Sequence, residues 1–190
     1  GLGCVVCDNY AVGDTFSFDW GVKWYLVADR QMIDSLLTVA PNYELNTLCV
    51  SKITDMSQLF KGHSAFFERR IGNWDVSNVL KMDSLFANQT AYVPIDNWDV
   101  SSVTDMSHMF AFARVYNSDI SGWNVSAVAD MSYMFYQNND FNIPIGNWDV
   151  SNVTDMSNMF YAASDFNQPI GNWNVSNVTN MAQMFHRATN

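Results

Sequence analysis

Large apolar side chains return along most of this chain at a nearly constant interval, with polar and small residues filling the space between them. Trp74, Trp98, Trp123, Trp148 and Trp173 stand 24, 25, 25 and 25 residues apart. Phe60, Phe86, Phe110, Phe135, Phe160 and Phe185 keep the same interval, and so do Met56, Met82, Met106, Met131, Met156 and Met181. Ile71, Ile95, Ile120, Ile145 and Ile170 form a further column, as do Val76, Val100, Val125, Val150 and Val175. A fifth column, six residues after the Phe in most repeats, reads Phe66, Tyr92, Tyr116, Phe141 and Phe166. Self-similarity at this period marks stacked units, because one short unit cannot bury its own apolar face and needs its neighbours to cover it. These columns are the expected core.

Within one repeat the pattern predicts two elements. From Thr154, the text TDMSNMFYAA places Met156, Met159 and Phe160 at i, i+3 and i+4. That spacing predicts a short helix or helical turn, started by Thr154 or Asp155 accepting an N–H that the first turn leaves unpaired. From Ile145 to Val150, Ile, Trp and Val alternate through small or polar residues, which predicts a short strand. A polar bend around Phe141-Asn142 joins the two, and its length varies: Phe60 to Ile71 is 11 residues, Phe86 to Ile95 only 9. The expected fold is an α/β repeat solenoid, leucine-rich-repeat-like, with a short helix and a short parallel strand per turn. At a strand spacing of about 4.8 Å, five to six turns would make a rod of about 25–30 Å.

The first 48 residues do not repeat and read as a cap, which a stack needs to cover its open apolar end and strand edges. Thr15 to Phe18 and Val22 to Val27 flank Asp19-Trp20-Gly21 as a predicted hairpin. Asp29 to Val39 reads as a helix with Met32, Ile33, Leu36 and Leu37 on one face, ended before Pro41. Residues 49–190 then carry five to six repeats and stop in the middle of one, so a longer natural polypeptide is expected.

Charge narrows the partners. Nineteen acidic residues against nine basic ones give a net charge of −10, which argues against a phosphate-backbone ligand and hence nucleic acid. No run of 18 apolar residues is present, so no membrane span is expected, and the opening GLGCVV lacks the basic segment and apolar stretch of a signal peptide. The three cysteines, Cys4, Cys7 and Cys49, all lie in or beside the cap. Pairing of Cys49 with Cys7 or Cys4 would tie the hairpin to the first repeat and fit an oxidising compartment.

The repeat wording itself, IGNWDVSNVTDMSNMF at 145–160, resembles the BspA-like leucine-rich-repeat surface proteins, a bacterial family in which Met and Phe replace much of the leucine. The resemblance runs from about Cys49 to Asn190. It implies a secreted or cell-surface protein, often part of a longer chain, with adhesion or partner binding as its role. The first repeat departs from the pattern, with Phe67-Glu68-Arg69-Arg70 where Asn167-Gln168-Pro169 stands later.

Candidate chemistry is sparse. Asp75, Asp99 and Asp149 follow the Trp, and Asp55, Asp105, Asp130 and Asp155 precede the Met. Carboxylates stacked at one-repeat spacing suit calcium, which takes six to eight oxygen ligands. Asn124 and Asn174 replace Asp in the first column, however, and Lys81 and Asn180 interrupt the second, an alternation that fits side chains bonded to nearby backbone in turns. Asn117, Asn142 and Asn167 align as a possible amide ladder. His63, His108 and His186 fall in different columns with no triad or metal-ligand spacing around them, and Cys4-x-x-Cys7 leaves only Cys49 to complete a zinc site. No enzyme and no cofactor are expected. Recognition then falls to the exposed positions that differ between repeats, where Phe67, Phe112, Tyr136 and Tyr161 are candidate contacts. The expected function is a secreted or cell-surface module mediating adhesion or binding to a protein or glycan; the alternative is a structural spacer, stalk or surface-filament subunit.

Overall fold

A computed structural model describes residues 5–17, 23–40, 43–63, 71–90, 92, 94–113 and 118–189. Asp19-Trp20-Gly21, Pro41, Cys4, Phe67 and Asn117 lie outside them. The N-terminal region holds a three-stranded sheet in the order β1-β2-β3. Strand β1 (Thr15–Phe16) runs antiparallel to β2 (Tyr25–Val27), and β3 (Leu48–Cys49) runs parallel to β2. Helix α1 (Arg30–Val39) connects β2 towards β3. Asp29 caps it, its carboxylate accepting from the Met32 N–H at 2.8 Å. Its apolar stripe buries Ile33 and Leu37, with Met32 and Leu36 packed beside them, as the i, i+3, i+4 spacing requires. A disulfide joins Cys7 to Cys49 across 42 residues and fastens the N-terminal segment to β3.

From residue 55 onwards the repeats lie side by side in parallel register. Asp55, Lys81, Asp105, Asp130, Asp155 and Asn180 bridge in series, each to the next. Four backbone bonds follow from each junction. In one repeat the N–H groups of Met131, Tyr133, Phe135 and Gln137 donate to the carbonyls of Asp155, Ser157, Met159 and Tyr161, at 3.0, 2.9, 2.9 and 2.8 Å. The intervening N–H groups turn back on their own chain: Met134 to Met131 at 3.2 Å, Tyr136 to Tyr133 at 3.0 Å and Asn138 to Phe135 at 3.1 Å.

This is not the helix expected at TDMSNMF. Each repeat instead runs through consecutive tight turns, and the turns need left-handed residues, such as Tyr133 at φ 57° and Gln137 at φ 52°. Such residues cannot continue a right-handed helix. The apolar spacing survives because Met131, Met134 and Phe135 still point inward and are buried. What changes is the destination of alternate N–H groups, which bond across to the next repeat rather than along a helix axis.

The expected strand from Ile145 to Val150 is also replaced. The Trp148 N–H turns back to the Ile145 carbonyl at 3.1 Å, so the segment bends. Ile145, Trp148 and Val150 are buried as the alternation predicts, but neighbouring repeats are joined here by indole rather than backbone. Trp98, Trp123, Trp148 and Trp173 each donate Nε1–H to the Ile carbonyl of the preceding repeat, at 3.1, 3.3, 3.2 and 3.1 Å, and Trp74 donates to Leu45 at 3.0 Å.

The core between these two sides is one continuous cluster. Phe60, Phe86, Phe110, Phe135, Phe160 and Phe185 stack in a row with centroids 5.7, 5.8, 5.7, 5.5 and 5.5 Å apart. Four expected core positions are corrected. Tyr92 is exposed whereas Phe141 and Phe166 of its column are buried, in keeping with the short Phe86-to-Ile95 connection that carries it. Val175, Met181 and Phe185 are exposed in the last described repeat.

Candidate functional site

The turn ribbon fixes which side chains meet on the outside. Positions that share a rung of the ladder stack from one repeat to the next, so the column of Gln58, Ser84, His108, Tyr133, Asn158 and Gln183 is contiguous, all at φ between 55° and 60°. Two rungs further on, Tyr136 and Tyr161 share a column with His186, and Phe112 lies next to it.

These positions bring six rings into contact. His108 and Tyr133 stack at 4.4 Å with their planes 5° apart. Tyr133 meets Tyr136 at 5.3 Å. Tyr136 stacks on Tyr161 at 4.7 Å and 17°, and takes Phe112 edge-on at 5.2 Å. Tyr161 meets His186 at 5.1 Å. Phe112 is 44% exposed, His186 is exposed, and the other four are half-buried. Of the expected contact residues, the structure therefore unites Phe112, Tyr136 and Tyr161. His108, Tyr133 and His186 were missed, although aligning the residue two positions after each Met, as in Met106-Ser107-His108 and Met131-Ser132-Tyr133, would have placed the first two in one column.

The aspartates beside the rings serve the turns. Asp105, Asp130 and Asp155 each use Oδ1 to accept the N–H of the serine two residues on, at 2.9, 2.8 and 2.7 Å. Burial works to raise the Asp155 carboxyl, but the bonds from Ser157 and Asn180 outweigh it and hold the group below its usual value. Burial pushes His108 below the usual histidine value, reinforced by Lys61 and opposed by Asp130, Asp83 and Asp105.

The three aspartates weighed for calcium are occupied similarly. Asp75, Asp99 and Asp149 accept from the N–H of Ser77, Ser101 and Ser151 at 3.1, 3.0 and 3.0 Å. Asn124 and Asn174 do the same through Oδ1, at 3.2 Å each, which accounts for the exchange of Asp and Asn along the column. Among the described residues no three His, Cys, Asp or Glu side chains come together as a metal-binding group. The Asn row is a partial ladder: Asn142 Oδ1 accepts the Asn167 N–H at 3.0 Å and Gln168 Nε2–H at 2.9 Å.

Two shallow surface grooves are present, one lined by Phe166, Asn167, Gln168, Ile170, Phe185 and Ala188, the other by Asp29, Arg30, Lys52, Ile53, Thr54 and Asp55. Neither contains a histidine, cysteine or serine. Among the described residues, no helix is long and apolar enough to cross a membrane.

No curated protein and no solved structure is detectably similar to the chain. A family model does match, twice, over residues 30–126 and 89–190, and so spans the helix, the repeats and the ring cluster. The chain belongs to the family described as Mycoplasma protein of unknown function, DUF285.

Proposed function

We propose that this chain is a secreted or cell-surface repeat solenoid that binds a protein or glycan partner through its outer aromatic face, without catalysis. The observation that carries this reading is the six-ring cluster spread over successive repeats on the outside of the turn ribbon. Contiguous exposed apolar patches mark interaction sites, and tyrosine combines apolar area with a polar tip and little rotamer freedom to lose. The parallel ladder joining residues one repeat apart supports the solenoid, the Cys7–Cys49 disulfide supports an oxidising compartment, and the resemblance to BspA-like surface proteins supports the location and role.

A spacer or stalk is the second reading, favoured by the unbroken Phe row and ladder, which supply length and stiffness. A stalk gives no reason for rings to gather on one side. Binding of the wild-type chain and of the triple variant Phe112→Ser, Tyr136→Ser, Tyr161→Ser to arrays of glycans and of peptides separates the two. Ligands retained by wild type and lost by a variant that still folds support the binding face. Identical array profiles for the two proteins would leave the stalk.

A further inference from the structure

The rings and their surroundings point to one class of partner, and this inference rests on the ring cluster being the binding face. Glycans held by aromatic side chains lie against an open ring face. Here much of that surface is used internally: His108 covers Tyr133 at 4.4 Å, and Tyr136 and Tyr161 cover each other at 4.7 Å. The stacked faces are closed to a sugar ring, and the area left on these half-buried tyrosines and on the exposed Phe112 forms a ridge along successive repeats.

The ladder places an acidic column along one side of this ridge. Asp105, Asp130 and Asp155 sit at the first rung, His108 and Tyr133 at the second, and Tyr136 and Tyr161 at the fourth. Asp130, Lys61, Asp83 and Asp105 all act electrostatically on the His108 ring, three carboxylates against one ammonium, so the balance of charge at the cluster is negative. Charge is lopsided over the whole ring-bearing stretch: from 105 to 186 the sequence holds Asp105, Asp119, Asp130, Asp140, Asp149, Asp155 and Asp165 against the single base Arg114. The structure thus presents an apolar ridge edged by carboxylates.

We infer that this face binds an extended cationic protein segment, whose Lys or Arg stems lie across the ridge while their charged heads reach Asp105, Asp130 and Asp155. Long basic side chains are built for such a surface, since their methylene stems cover apolar area and leave the head free to pair. A carboxylate column also steers a basic partner inward and disfavours an acidic one.

The test is fluorescence anisotropy with the full chain and three labelled probes: a peptide alternating arginine with glycine, the same peptide with glutamate for arginine, and a neutral cello-oligosaccharide. The arginine peptide should bind, with affinity falling as salt rises. The double variant Tyr136→Ser, Tyr161→Ser should weaken it about tenfold, while Tyr136→Phe, Tyr161→Phe, which keeps the ridge, should not. Asp105→Asn, Asp130→Asn retains the turn acceptors, as Asn124 does in its own column, and should weaken binding and flatten the salt dependence; this pair carries the test if the serine variant does not fold. Arginine-peptide affinity that ignores both pairs of substitutions, or equal binding of the glutamate peptide, overturns the inference. Ring-dependent binding of the oligosaccharide alone overturns it while leaving the binding face intact. If the rings affect no probe, both readings fall.

Discussion

Phe135 offers a direct test of the stacked core, because the same residue type recurs in the same column with a different number of neighbours. Its ring is fully buried, lies 5.7 Å from Phe110 and 5.5 Å from Phe160, and packs on Phe141 at 3.7 Å and Trp148 at 6.5 Å. Replacing it with alanine removes a buried ring and leaves a hole that flanking backbone, held by the ladder, cannot easily close. Such substitutions cost about 3–5 kcal/mol. Phe185 stacks on Phe160 at the same 5.5 Å but is 48% exposed. Full burial of a phenylalanine is worth about 1.5–3 kcal/mol, so half of it puts Phe185→Ala at about 1 kcal/mol. Urea denaturation followed by both tryptophan fluorescence and circular dichroism measures the two variants against wild type, and agreement of the two probes checks that unfolding is cooperative. Equal losses for the two variants would refute the reasoning, since they would mean that Phe135 gains nothing from a repeat on each side.

Three further outcomes follow from the bonds described. Reduction of Cys7–Cys49 releases a loop of 42 residues, which on chain-entropy grounds costs about 4 kcal/mol; a melting point unchanged by dithiothreitol would show that the cap does not depend on it. Asp149→Asn should be nearly neutral, because the amide oxygen can accept the Ser151 N–H, whereas Asp149→Ala removes that acceptor and should lower the melting point; equal damage from both, together with a calcium-dependent rise in wild-type melting, would instead assign the column to metal. Asp155 is held below its usual pKa, so its contribution to stability is present above the unfolded-state value and is lost as pH falls through the folded one. Acid titration of stability should therefore be shallower in Asp155→Asn, and a curve that superimposes on wild type would remove that carboxylate from the account.

What the sequence made legible was the periodic burial and the capped helix α1. The Phe, Met, Ile, Trp and Val columns are buried through the middle repeats, and α1 begins within one residue of its predicted start because Asp29 supplies a cap before an amphipathic run. The ribbon was not legible, because a helix and a chain of turns both send Met131, Met134 and Phe135 inward. The choice lies in whether the Tyr133 N–H bonds within its own segment or to Ser157 in the next repeat, at 2.9 Å, and that partner is non-local. The strand failed for the opposite reason: Ile145, Trp148 and Val150 alternate inward, but a local turn takes the Trp148 N–H. The cysteine count left two partners for Cys49, and only the packing of Val5 and Cys7 with Cys49 selects Cys7.

The left-handed positions connect the fold to the proposed binding face. Each repeat needs two of them, and they are met at low cost where Gly62, Asn88 or Asn158 occupies them, since glycine has no Cβ to clash and asparagine tolerates this region. The ring-bearing repeats place His108, Tyr133 and Phe112 there, at φ 56°, 57° and 57°, where a bulky residue is uncommon and costs about 1–2 kcal/mol. Stacking between adjacent repeats offsets part of this, at about 0.5–1.5 kcal/mol per aromatic pair, so the arrangement gains little stability over an asparagine column. A side chain that is neutral for the fold at best, repeated across successive units and turned outward, is more economically explained by what it contacts than by what it supports. The same positions that leave the ribbon unable to form a helix thus lift side chains clear of the core, and variation there changes the outer face without disturbing the Phe row beneath it.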